Sequence, residues 1–170
     1  MLSQGDVAAS IDQTTFTDIT FTVTLQEPGD FYEFEVAAVN NGSLDAMAVA
    51  WHGNYLRFFE AAHTELMQKI GLGFAVYAAH EIAAPVVQCH VDYFSSLILD
   101  EEYEVCALLY WNDGARLDIS YTVTGSDGRI CATGYTVQMF CHLKTHEPYI
   151  FPPEPVSIMR ERWRRGDFHA

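Results

Sequence analysis

At 170 residues the chain has the length of one ordinary domain, enough to bury a sizeable core. Apolar residues make up 49% and charged residues 19%, which describes a globular chain rather than a disordered one. The net charge of −14, from 23 acids against 9 bases, argues against a nucleic-acid partner, because neutralising phosphates takes clustered Lys and Arg.

Cys89, Cys106, Cys131 and Cys141 form no CxxC pair and read as reduced thiols on strands. No apolar run approaches the ~18 residues of a membrane span. The start, MLSQGDVAAS, lacks the basic and apolar regions of a signal peptide, so a cytoplasmic protein without a membrane span is expected.

In chain order, residues 1–14 are small and polar without a period and read as a loose arm. Ile19, Phe21, Val23 and Leu25 alternate with polar residues, and Tyr32, Phe34, Val36 and Ala38 do the same after the Pro28-Gly29-Asp30 turn. The pair predicts a β-hairpin closed by Asn40-Asn41-Gly42. Next comes the long helical segment, with Tyr55, Phe59, Ala62, Leu66 and Ile70 on one stripe and Gly71 and Gly73 as its stop. Residues 74–84 read as an apolar return to the sheet, ended by Pro85.

Val87, Cys89, Val91 and Tyr93 alternate as a half-buried strand, and Tyr103 to Trp111 is the next. Asn112-Asp113-Gly114 and Ser126-Asp127-Gly128 are tight turns on either side of the Leu117–Val123 alternation. Arg129 to Leu143 reads as one long last strand. Beyond Lys144, four prolines predict an extended arm, followed by a short basic helix over 156–165. One helix and a sheet with an apolar face pack as two layers, an α+β fold.

Asp45, Trp51, His52, Asn54, Tyr55, Leu56, Phe58, Phe59 and Glu60 together form a long, specific pattern. It resembles acyl-CoA thioesterases of the 4-hydroxybenzoyl-CoA thioesterase family, with Ala48 where that family usually has Gly. The resemblance implies the hotdog fold, an antiparallel sheet wrapped around one long helix, over residues 15–145. Within that span the front hairpin, 15–44, is atypical of the family, and 146–170 is the Pro-rich arm with its basic helix.

The resemblance also implies thioester hydrolysis. The aspartate matching Asp45 is general base or nucleophile, and the backbone N–H matching His52 polarises the carbonyl. Unpaired N–H groups at a helix start suit that task. Taken alone, Asp45 also reads as a turn or capping acid, and the His52 ring as a pocket wall or a proton-transfer group. Trp51, Gly53, Asn54, Tyr55 and Arg116 are the candidate substrate-binding residues, Arg116 being the one base in the turn where the family often carries Arg or Lys.

Arg160, Arg162, Arg164 and Arg165 form either a second phosphate patch or a solvated basic tail. No metal and no bound cofactor is implied, since Cys141, His142 and His146 lack converging partners. The substrate expected is an acyl-CoA or an acyl-carrier thioester, and the resemblance also implies a homodimer or homotetramer. A hotdog dehydratase and a non-catalytic hotdog or surface binding module are the other readings.

Overall fold

The computed structural model describes residues 31–39, 51–97 and 102–168. Among them a five-stranded antiparallel sheet carries one long helix on one face. The strands are β1 (Phe31–Val39), β3 (Val86–Tyr93), β4 (Glu102–Tyr110), β5 (Arg116–Gly125) and β6 (Ile130–Met139), in the spatial order β1-β4-β5-β6-β3. The helix is α1 (Asn54–Lys69). A two-stranded ladder of β2 (Ile82–Ala83) and β7 (Cys141–His142) stands apart from this sheet.

Period-two burial fixes the register. Tyr103, Val105, Ala107 and Leu109 of β4 and Leu117, Ile119, Tyr121 and Val123 of β5 are all buried on one face. Against them lies the α1 stripe of Tyr55, Phe59, Ala62, Leu66 and Ile70, also buried. Burying each such large side chain stabilises the fold by roughly 1.5–3 kcal/mol.

The tightest contact is between Phe59 and the sheet. Its ring stacks on Tyr121 at 4.5 Å and 8°. A Cβ placed on Gly134 would lie 2.6 Å from the Phe59 ring and 2.5 Å from the His90 carbonyl oxygen, so only glycine fits there. The helix ends as the sequence suggests, with Gly71 at φ +80° just beyond it.

Several elements differ from the sequence expectation. The apolar return over 74–84 contains a short helix, α2 (Phe74–Ala79), and then β2. The long last strand is broken at Phe140, whose N–H donates to the Ala115 carbonyl and whose ring is fully buried. The strand expected to be half-buried, β3, is mostly exposed, with only Val91 packing against the core; among the described residues it stands at the edge of the sheet with β6 as its one neighbour.

The basic C-terminal helix begins earlier, as α3 (Glu154–Arg164), with Pro155 in its first turn. Val156 and Met159 drive it into the same core as α1. The Pro-rich arm doubles back on β7, with the Tyr149 N–H donating to the Phe140 carbonyl. β1 agrees with the second arm of the expected hairpin and pairs with β4, Phe31 opposite Tyr110 and Val39 opposite Glu102. The first arm and the closing turn lie outside the described residues.

Gly134→Ala is expected to lift α1 from the sheet and lower stability by about 1–3 kcal/mol, as overpacking does. A thermal melt indistinguishable from wild type would contradict the close approach.

Candidate functional site at the start of the long helix

Trp51 to Tyr55 enter α1 through a tight turn. The Asn54 N–H donates to the Trp51 carbonyl at 2.9 Å and the Tyr55 N–H to the His52 carbonyl at 3.4 Å. The N–H groups of His52 and Gly53 have no hydrogen-bond partner among the described residues. They are the orphan donors of a helix start, in the positive end of the helix dipole.

The turn is held in place by its neighbours. Tyr93 on β3 donates its hydroxyl to the His52 carbonyl at 3.2 Å and sets its ring edge-on to Tyr55 at 5.0 Å. The Trp51 ring folds over Gly53, where a Cβ would come within 2.0 Å of it. The Gly53 backbone has ordinary right-handed angles, φ −66° and ψ −19°, so space rather than strain selects glycine here. Trp51 and His52 remain exposed while Asn54 and Tyr55 are buried, and burial pushes the Tyr55 hydroxyl above its usual range.

Among the candidate residues, the structure therefore gathers Trp51, His52, Gly53, Asn54 and Tyr55 in one turn. Asp45 lies outside the described residues. Arg116 is elsewhere in the chain's own fold: it opens β5, seven residues from Val123, which is paired with Ala132 beside Tyr93. At about 3.3 Å per residue that is about 23 Å along the sheet. Its guanidinium is paired with Asp118 at 3.1 Å.

The four arginines of the C-terminal segment are engaged within the chain. Arg160 is buried and donates to the Gly114 and Arg116 carbonyls at 2.8 and 3.3 Å. Arg164 sits over the Trp111 ring at 4.8 Å and faces Asp113 at 3.9 Å, while Arg162 and Arg165 meet Asp167 at 3.9 and 2.8 Å. Arg160 is thus buried against the sheet, unlike a solvated tail, while Arg164 and Arg165 stay 65% exposed.

Two features were not singled out in the sequence. Tyr103 is 3% exposed, and its hydroxyl has no partner among the described residues. It lies against Phe58 in the first turns of α1, opposite Ala38 near the end of β1. His63, on the flank of the α1 stripe, bonds through Nε2 to Gln138 Oε1 at 3.0 Å. Nothing in a lone His and a Gln 75 residues apart announces that pair. Burial pulls His63 below its ordinary value of 6.5, opposed by the Glu60 carboxylate and the Gln138 bond.

With its folded pKa depressed, His63 makes the folded chain bind fewer protons than the unfolded one. Its contribution to stability is present above the unfolded value of about 6.5 and is lost as pH falls. Between pH 7 and 5 the melting temperature of wild type is therefore expected to drop further than that of His63→Gln. Equal drops would contradict the buried neutral imidazole.

The thioesterase-like superfamily matches residues 39–160, more than half of the chain. No curated protein matches it. Among solved structures, a DHNA-CoA thioesterase from Staphylococcus aureus is 25% identical, with a TM-score of 0.65 over 80% of this chain and 95% of that one. A hypothetical protein from the same organism, solved in complex with CoA, is 20% identical with a TM-score of 0.71 over 82% and 89%. A 1,4-dihydroxy-2-naphthoyl-CoA thioesterase from Synechocystis is 15% identical with a TM-score of 0.67 over 75% and 94%. The chain belongs to the thioesterase-like superfamily: it is a thioester hydrolase with the hotdog α+β fold.

Proposed function

We propose that the protein hydrolyses an acyl-CoA thioester at the start of α1, with Asp45 as general base or nucleophile. The observation that carries this reading is that the His52 and Gly53 N–H groups have no partner among the described residues. A thioester oxygen bonded there meets two donors and the positive helix end as it gains charge, and one such donor is worth a few kcal/mol in the transition state. Tyr93 holds the turn by its bond to the His52 carbonyl and leaves the N–H side of that residue open. Similar solved structures named as CoA thioesterases, and one solved with CoA, support CoA as the carrier.

Asp45 stands six residues before Trp51, in the segment that joins the end of β1 to the helix start. As a base it takes a proton from water as the water oxygen attacks the carbonyl carbon. The tetrahedral intermediate then collapses, the C–S bond breaks, and the CoA thiolate leaves to be protonated. As a nucleophile Asp45 forms a mixed anhydride with loss of the thiolate, and water hydrolyses the anhydride. The His52 ring is exposed and serves as a pocket wall, its backbone carrying the chemistry.

We also propose a homodimer in which β3 pairs with β3 of a second copy. Its outer edge has no neighbour among the described residues, and Val86, Val87 and Tyr93 are each about half exposed there, at 48%, 49% and 51%. A long, partly apolar open edge is a template for strand pairing. The four cysteines form no disulfide with one another, which fits a reducing cytoplasm.

Release of thiol from an acyl-CoA panel, run beside sedimentation equilibrium, tests both proposals. Asp45→Asn is expected to lose about 10²–10⁴-fold in kcat with an unchanged melt, while His52→Ala stays within a few-fold. A dimer mass is expected. Full turnover by Asp45→Asn would move the base elsewhere. Turnover on carrier-protein thioesters alone would replace CoA as the carrier, and a monomer mass would remove the strand-paired dimer.

A further inference from the structure

The two open N–H groups at the start of α1 belong to peptide units whose carbonyls are already bonded. The His52 N–H shares its unit with the Trp51 carbonyl, which accepts from the Asn54 N–H at 2.9 Å. The Gly53 N–H shares its unit with the His52 carbonyl, which accepts twice, from the Tyr55 N–H at 3.4 Å and from the Tyr93 hydroxyl at 3.2 Å. The backbone bonds arise within the turn itself. The hydroxyl bond comes from β3, 41 residues away in the chain. Tyr93 is well held for it. It ends β3 opposite Ala132 of β6, and its ring meets Tyr55 edge-on at 5.0 Å. Just beyond it, the Phe94 and Ser95 N–H groups both donate to the Cys131 carbonyl, at 2.9 and 3.1 Å. None of that anchoring uses the hydroxyl.

We infer that Tyr93 is a positioning residue for thioester hydrolysis that acts through the His52–Gly53 peptide. This rests on the reading of the helix start as the place where the thioester oxygen gains charge, and adds a residue that sets the strength of one donor there. A hydroxyl bonded to a peptide carbonyl draws electron density toward that oxygen and leaves the N–H of the same unit more positive. Bonds linked in this way strengthen one another by about 10–30% each. The donor at the far end of the link is the Gly53 N–H, which has no partner among the described residues. Its added strength counts most when the substrate oxygen carries charge and little while that oxygen is neutral. Tyr93 therefore acts on kcat rather than on substrate binding. One oxyanion donor is worth about 10²–10³ in kcat, and 10–30% of that on a logarithmic scale is about two- to eightfold.

The test is Tyr93→Phe, which keeps the ring against Tyr55 and removes only the hydroxyl. It is assayed with acetyl-, benzoyl- and decanoyl-CoA at neutral pH, beside wild type and a protein carrying 3-fluorotyrosine in place of Tyr93, whose hydroxyl donates slightly more strongly. Tyr93→Phe is expected to lose about two- to eightfold in kcat on each thioester that wild type turns over, with KM and the thermal melt unchanged. The fluorinated protein is expected to reach at least the wild-type kcat. An unchanged kcat in Tyr93→Phe would overturn the inference. So would a loss that comes with a raised KM or a lower melt, because the hydroxyl would then only hold the turn together. If wild type turns over no CoA thioester, the activity reading fails by itself, and the link is read by NMR without substrate. The Gly53 amide proton is then expected to move upfield in Tyr93→Phe, and further than that of His52, whose peptide Tyr93 does not touch. Equal shifts, or none, would overturn the link.

Discussion

The seating of Phe59 between Tyr121 and the bare backbone at Gly134 is the contact on which the rest depends. It presses the middle of α1 onto the centre of the sheet at stacking distance, where even one methyl group on Gly134 would collide. A helix pinned at its middle has its start fixed as well, one turn and a half away. The same pinning places His63, one turn further along nearly the same face of α1, against Gln138 two residues beyond Thr136 on β6. The helix start and the His63–Gln138 contact are thus set by one packing event, and a shift of α1 would disturb both together.

The helix start gains its chemical character by subtraction. The His52 and Gly53 N–H groups have no partner among the described residues, and the N-terminal position, Gly53, has no side chain to form a cap. Trp51 folds back over Gly53 and Tyr93 secures the His52 carbonyl, so the turn is ordered without spending its N–H groups. A Ser or Asp at Gly53 would stabilise a helix by about 1 kcal/mol through the Tyr55 or Leu56 N–H, but here its Cβ would strike the Trp51 ring.

Much of this was legible in the sequence because it is local. The stripe from Tyr55 to Ile70 and the alternation of Leu117 to Val123 are each periodic within one element and buried as expected, and the stop at Gly71 takes a left-handed φ. The Asp45-to-Glu60 pattern resembles thioesterases, and the superfamily match agrees at that coarser level. What escaped depends on neighbours distant in the chain. β3 has the alternation of a half-buried strand, yet its place at the sheet edge leaves it exposed, and sequence periodicity carries no information on strand order. The arginines of α3 read as solvated because charge dominates their composition. Val156 and Met159 nevertheless bury one face, and Arg160 spends its charge on the Gly114 and Arg116 carbonyls. The His63–Gln138 pair exists only because α1 crosses β6 where it does.

The most direct measurement is a structure of the protein with a non-hydrolysable acyl-CoA analogue, in which a methylene group separates the carbonyl from sulfur. The account expects the carbonyl oxygen within about 3 Å of the His52 or Gly53 nitrogen, with a carboxylate oxygen of Asp45 on the face of the carbonyl carbon. A carbonyl bound away from the start of α1, with those N–H groups solvated or turned elsewhere, would contradict it.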